Sequence, residues 1–320
     1  MDIFFQSVND TLELLRQVLP PMFAGLFGVE WLIQCGVMQK LEPLGKPLAD
    51  VSRLPPATVP AFWASLGSLM TANAILARHH AENLITGREL VLAAVFNTVP
   101  LHFKETLTYQ LPVVLPLLGL RLCLIYIAVF WLTGLLKLGF VIYQGRKNLV
   151  RGRESAGAPV GAGGVPEGQI SIKDAFYKAF QLRWRLFFKM SLMLVLVTFL
   201  VQLAVNSGGL RSMEAVLSPF SAYFGLPASV IGPVSVYILS PLAGLTAMSA
   251  LLKQHIITEY QAIVALLAGG LLMVPVTRLR GTLPRYVSVL GWGNGIRVLS
   301  ITTLLSLLAR GVMLLGVIVI

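Results

Sequence analysis

Written as a string of apolar and polar positions, the chain falls into two halves with one rhythm. Each half opens with apolar residues at helical spacing: Phe4, Val8, Leu12 and Leu15 in residues 2–17, and Ile172, Phe176, Phe180, Trp184 and Phe187 in the second half. In the second half Ser171, with Asp174 three residues on, marks a helix start, and Lys173, Lys178, Arg183 and Arg185 form the opposite, polar side. That is the pattern of an amphipathic helix lying on a membrane surface. Apolar runs long enough to cross a bilayer follow, at about 19–38 and 188–206. Second amphipathic pieces occupy 41–53 and 213–225.

The stretches 56–77 and 228–252 come next, each long enough for one span and each interrupted at its middle. The interruptions are Leu66-Gly67-Ser68 and Ser240-Pro241-Leu242-Ala243-Gly244. They permit a kinked crossing helix or a re-entrant helical hairpin whose freed backbone groups face protein or a cavity. Apolar runs at 84–101 and 256–277, shorter pieces at 106–118 and 282–294, and closing spans at 119–143 and 296–320 complete the halves.

The two rhythms correspond residue by residue. At an offset of 172, Leu54-Pro55 meets Leu226-Pro227, Glu42 meets Glu214, Pro47 meets Pro219, Ser68 meets Ser240 and Thr86 meets Thr258. Further on, Lys104-Glu-Thr-Leu107 matches Arg280-Gly-Thr-Leu283, and Gly119-Leu-Arg121 matches Gly295-Ile-Arg297. These matches imply an offset of 176 and a small insertion in the second copy. An internal duplication follows, with repeat one at 1–143, a connector at 144–170 and repeat two at 171–320. The connector is basic from Gln144 to Glu154 and Gly/Ala/Pro-rich to Gly168, the composition of a flexible linker.

Composition fixes the class. With 56% apolar and 12% charged residues, and a mean hydropathy of +0.78, the chain does not fit a soluble domain. The net charge of +11 lies in basic residues beside apolar spans and not among exposed aromatics, so nucleic acid is excluded as the expected partner and the bilayer takes its place. Cys35 and Cys123 both lie in apolar runs and give neither a disulfide framework nor a metal signature. The N-terminus lacks the pattern of a cleavable signal peptide.

Positive charge chooses the topology. If every long segment crossed, the two halves would run parallel and basic residues would divide poorly between the faces. With 56–77 and 228–252 re-entrant, each half has three spans and the second is inverted. The connector, Lys40, Lys46, Arg53, Arg78, Arg88, Arg278, Arg280 and Arg285 then share one face, against Arg16, Lys104, Arg211 and Lys253 on the other. The first face is predicted to be cytoplasmic, in a multi-pass protein of the cell (inner) membrane.

Leu54-Pro55-Pro56 with Ser65-Leu-Gly-Ser68, and Gly225-Leu-Pro-Ala228 with Ser240-Pro-Leu-Ala-Gly244, carry a resemblance. The chain resembles the Gate, or nucleoside-recognition, family of membrane proteins, whose domain is shared with ferrous-iron permeases and spore-maturation proteins. Two such units would cover nearly the whole chain. The resemblance implies an all-α polytopic architecture of two inverted repeats, but no nucleoside. The chain has no Gly-x-x-x-x-Gly-Lys-Ser/Thr loop, so the GTPase domain of the iron permeases is missing.

Candidate binding residues follow from polar groups in apolar runs. Glu30 sits inside the first span, where an unpaired carboxylate costs about 2.5–3.5 kcal/mol, so it should face protein or water. Its repeat partner is Gln202, and Gln34, one turn on, is matched by Asn206. These four residues, with Ser68 and Ser240 at the interruptions and Arg310 in the last span, form the predicted substrate site; interhelical hydrogen bonding is the structural alternative. The hairpin tips are expected to meet near the midplane beside them. His79-His80 with Glu82, and His255 near Glu259, lack metal-ligand spacing, and His102 stands alone. No catalytic motif or cofactor signature is present, so no enzyme activity is expected. The expected function is a permease for a small polar solute or ion, with a non-transporting scaffold or regulatory subunit as the alternative. Either role leaves room for a homo-oligomer or a membrane partner protein.

Overall fold

The computed structural model describes residues 2–34, 45–149, 172–207 and 225–319, and every regular element among them is helical. The first half contains α1 (Asp2–Gln34), α2 (Gly45–Val51), α3 (Val59–Gly67), α4 (Leu69–Ala81), α5 (Gly87–Phe96), α6 (Val99–Glu105) and α7 (Leu115–Asn148). The second contains α8 (Ile172–Asn206), α9 (Ile231–Leu239), α10 (Pro241–Lys253), α11 (Glu259–Thr277) and α12 (Leu283–Val319). Widened π-helical turns, Thr106–Val114 and Arg278–Thr282, join α6 to α7 and α11 to α12.

Equivalent features recur 172 residues apart along the described chain. Ser68 and Ser240 both leave helical geometry, at φ/ψ of −149/119° and −144/100°. Thr86 and Thr258 both close capping boxes, with Glu89 and Gln261, so a short polar signal starts the same helix twice. Gly119 and Gly291 share a φ of 79° and 78°. The expected widening of the offset to 176 therefore does not occur: the matching glycine is Gly291, not Gly295.

Those two glycines reverse the chain. Beyond Gly119 the helix runs back along the strand of helix it has just left. Cys123 Sγ lies 3.7 Å from the Gln110 carbonyl, Trp131 Nε1 donates to Thr106 Oγ1 at 3.1 Å, and the His102 and Phe130 rings are 4.5 Å apart. Each pair straddles Gly119 at growing separation, as in an antiparallel hairpin. Around Gly291 the same holds: Gly295 packs on the Tyr286 backbone and Gly270 on the Arg310 side chain. A φ near +80° with extended ψ is a conformation that essentially only glycine adopts. The apolar stretches Gly87–Asn148 and Glu259–Val319, each long and apolar enough to cross a membrane, are thus two arms apiece. An arm such as 87–118 extends about 45 Å at helical rise, more than the hydrocarbon thickness.

The interrupted stretches also fold back. α3 packs on α4, and α9 packs on α10 so closely that Gly244 touches the Tyr237 backbone. Each short hairpin then packs on the long arms of the other half. α4 lies against α12, and α10 against α7, with Ser249 Oγ donating to the Leu117 carbonyl at 2.5 Å. Two apolar cores result. One gathers α9, α10 and α11 around the start of α7; the other gathers α3, α4 and α5 with Tyr286, Leu290, Val298 and Leu299 of α12.

Separate amphipathic helices and spans were expected at the start of each half, but α1 and α8 are each continuous. They run antiparallel, with Phe27 on Phe180, Phe23 on Phe187 and Phe4 on Phe199. The basic start of the connector is helical to Asn148, where Arg146 Nε donates to the Val51 carbonyl and Arg53 Nη1 to the Arg146 carbonyl at 2.8 Å. From residue 150 to 171 it lies outside the described residues, as does the piece at 213–224.

Candidate functional site

Lys104, Arg278 and Arg280 were expected in loops and instead lie within the helical arms, in α6 and in the second π turn. Their position follows from how the arms are built. The first arm of each long hairpin is irregular near its middle: α5 stops at Phe96, α6 restarts at Val99 with Pro100 unable to donate, and a π turn follows in both hairpins. Widened turns of this kind occur disproportionately at functional sites.

Lys104 reaches from the first long hairpin to the tip of the first short one. Its Nζ donates to the Leu66 carbonyl at 2.6 Å and the Gly67 carbonyl at 3.1 Å. These are carbonyls at the end of α3, where a helix leaves acceptors unsatisfied and carries partial negative charge. Ser68 caps α4, accepting from Thr71 N–H at 3.3 Å. Ser240 occupies the equivalent cap position of α10. The two predicted serines therefore do lie at hairpin tips, and the partner seen at the first tip is a lysine.

Lys137 sits in electrostatic reach of Arg278, Glu105 and Arg310, and Glu105 in reach of Arg278, Lys137 and Lys104. Lys137 is only 2% exposed and has no hydrogen-bond partner among the described residues. It shares one face of α7 with Tyr126, Phe130 and Thr133, by their spacing. His102 is buried beside it, its Nδ1 2.9 Å from the Thr98 carbonyl, so that nitrogen carries the ring proton and Nε2 is left as an acceptor.

Arg310 faces a crevice between the long hairpins, lined by Leu122, Tyr126, Phe130, Tyr237 and Leu267 among others. Its guanidinium lies over Gly270, where a side chain would collide with Nε, and donates to the Ser306 carbonyl at 3.2 Å. Across the crevice the Tyr126 and Tyr237 hydroxyls are 3.3 Å apart. The free space is about 30 Å³, room for a water or two and not for a larger solute.

Of the other predicted site residues, Glu30, Gln34, Gln202 and Asn206 belong to α1 and α8, and their side chains lie outside the described ones. Sequence reasoning missed Glu105, Lys137 and Tyr237. The one available signal was a lysine inside an apolar run. The residues read as polar loops lie partly in helices: His79 and His80 end α4 and Glu259 begins α11, with His80 Nδ1 meeting the Ile85 carbonyl, Glu82 pairing with Arg78 and Glu259 with Arg121. A second polar pair is buried in the other core. Asn73 on α4 and Asn97 at the α5–α6 break are both fully buried, with no partner for either amide among the described residues.

Three proteins of Methanocaldococcus jannaschii are similar to this chain over most of its length. The uncharacterized protein MJ0880 is 22% identical over 289 residues, covering 88% of this chain and 90% of its own. The uncharacterized proteins MJ0871 and MJ1556 are 22% and 21% identical, covering 88% and 96% of this chain, and 86% and 96% of their own. No family model matches the chain. No solved structure matches it.

Proposed function

We propose that this chain is a multi-pass membrane permease for a small polar solute or ion, built as two inverted Gate-like repeats that rock around a central site. The single observation that carries the reading is the set Glu105, Lys137, Arg278 and Arg310 toward the middle of the apolar arms, with Glu105 and Arg278 where the helices are interrupted. Ionisable residues at that depth are costly, and their usual role is a solute or proton path. Interrupted helices around a midplane site are the common plan of secondary transporters.

Membrane insertion is supported by what the arms leave uncovered. Leu120, Leu124, Trp131 and Leu135 on α7, and Leu304, Leu308, Val312 and Leu315 on α12, are exposed stripes that a soluble helix would bury. Inversion is supported by which ends meet. The start of the first long hairpin, Gly87, lies beside Asn294 at the second turn, while Arg121 at the first turn pairs with Glu259 at the start of the second. Equivalent positions thus lie at opposite ends, and α1 runs against α8. With Lys104, Arg278 and Arg280 within the helical arms, Arg121 joins Lys253 on one face, and Arg297 joins Arg53 and Arg146 on the other. The charge bias survives, with the connector cytoplasmic.

A non-transporting scaffold is the second reading, favoured by the small free volume at Arg310. Transport by purified protein in liposomes separates the two. Uptake of any small solute above protein-free vesicles, reduced at least tenfold by Lys137→Met, is the expected result. No flux across a broad panel of ions, acids and nucleosides, from protein that is folded and correctly inserted, would favour the scaffold.

A further inference from the structure

Resting on the permease reading, we infer that the bound solute is a small anion, held by Arg310 with the Tyr126 and Tyr237 hydroxyls. Lys137 lies in electrostatic reach of Arg278, Glu105 and Arg310, and Glu105 in reach of Arg278, Lys137 and Lys104, so basic groups outnumber the one carboxylate here among the described residues. Excess charge of one sign in a low-dielectric interior requires a counter-charge, and the missing one is negative.

Donor geometry points the same way. A guanidinium has five N–H donors in a planar fork, and Arg310 donates to one described acceptor, the Ser306 carbonyl of its own helix. The remaining donors have no described protein acceptor. Their crevice contains two phenolic hydroxyls within hydrogen-bonding distance of each other, one of which can donate outward while the pair shares the other proton. A fork plus a phenol forms a cradle of donors suited to a carboxylate or another anion that accepts hydrogen bonds. The guanidinium charge repels a cation. Lys137, three turns along the same α7 face from Tyr126 and in electrostatic reach of Arg310, is 2% exposed and has no described hydrogen-bond partner. Gly270 is part of the construction, because a Cβ there would lie 3.0 Å from Arg310 Nε, so that the fork must shift by a few tenths of an ångström.

The free space of about 30 Å³ means that this is a closed state. It accepts an ion about the size of a water, and larger anions require the long hairpins to separate around Arg310. Small size is therefore part of the inference.

The test is thermal unfolding of the detergent-solubilised full chain against sodium formate, acetate, chloride and phosphate. Choline chloride and sodium gluconate at matched ionic strength serve as cation and bulky-anion controls. The expected result is a saturable rise in midpoint with one or more of the small anions and none from exchanging the cation. Arg310→Gln should weaken the apparent affinity at least tenfold. Gly270→Ala should weaken it severalfold with every charge retained, and exposed Arg285→Gln should leave it unchanged. Equal stabilisation by all salts, or saturation that survives both Arg310→Gln and Gly270→Ala, overturns the inference. If Arg310→Gln does not fold, Gly270→Ala decides alone. Failure of the permease reading gives a different result: saturable anion binding persists while liposomes show no flux.

Discussion

Replacing Gly119 or Gly291 with alanine tests the reversal on which the whole arrangement depends. Both residues sit at φ near +80° with ψ of 173° and 166°, outside the regions open to an L-residue. Holding a side-chain-bearing residue there costs about 1–3 kcal/mol. A Cβ at either position would have no atom within 4 Å, so no packing clash is added and the loss is purely conformational. The two turns lie at opposite ends of the long hairpins, so their effects should add. The double variant is therefore expected to lose about 2–6 kcal/mol. Gly139 and Gly316 are the internal controls. They are helical, equally free of neighbours, and lack a positive φ. Alanine at either should be neutral or stabilise by up to about 1 kcal/mol. Equilibrium unfolding in mixed detergent micelles measures all four. If Gly119→Ala unfolds at the same denaturant concentration as Gly139→Ala, the backbone argument fails and the chain does not turn back at that point.

Three further outcomes are expected. Lys104→Met removes the donor that satisfies Leu66 and Gly67, and should destabilise by about 1–3 kcal/mol in the same unfolding assay; an unchanged midpoint would show that water replaces the ammonium at the hairpin tip. Gly244→Ala places a methyl against the Tyr237 backbone and should destabilise by about 1–3 kcal/mol, while Gly232→Ala, with nothing near it, should not. In a cysteine-free background, single cysteines at Glu82 and Gln254 should be labelled from opposite sides of intact cells, and labelling of both from one side would restore parallel repeats.

Most of the element order could be read from the sequence because membrane-length apolar runs and helix breakers are local signals. The interruption at Gly67-Ser68, and its partner at Ser240-Pro241, follow from which residues can leave helical geometry, and both breaks lie where the residues put them. The start of each long hairpin was equally local, a threonine followed three residues later by Glu89 or Gln261. The sequence thus determined that the chain is helical and largely apolar, with the same breaks and caps recurring 172 residues apart.

Only the tertiary structure decided how those pieces close on one another. Gly119 is one of 29 glycines, and nothing in its neighbours says that its φ is positive; matching residue types paired Gly119-Leu-Arg121 with Gly295-Ile-Arg297 and missed Gly291. Lys104 and Arg278 read as loop charges because the arms around them are interrupted, and an interruption in a hydropathy pattern resembles the end of a span. In space the same interruptions are slack turns inside continuous arms, with the charges turned inward. Arg310 was visible as a polar residue in an apolar run. That it faces Tyr126 and Tyr237, from opposite halves of the chain, depends on contacts between residues more than a hundred positions apart, and no local pattern encodes those.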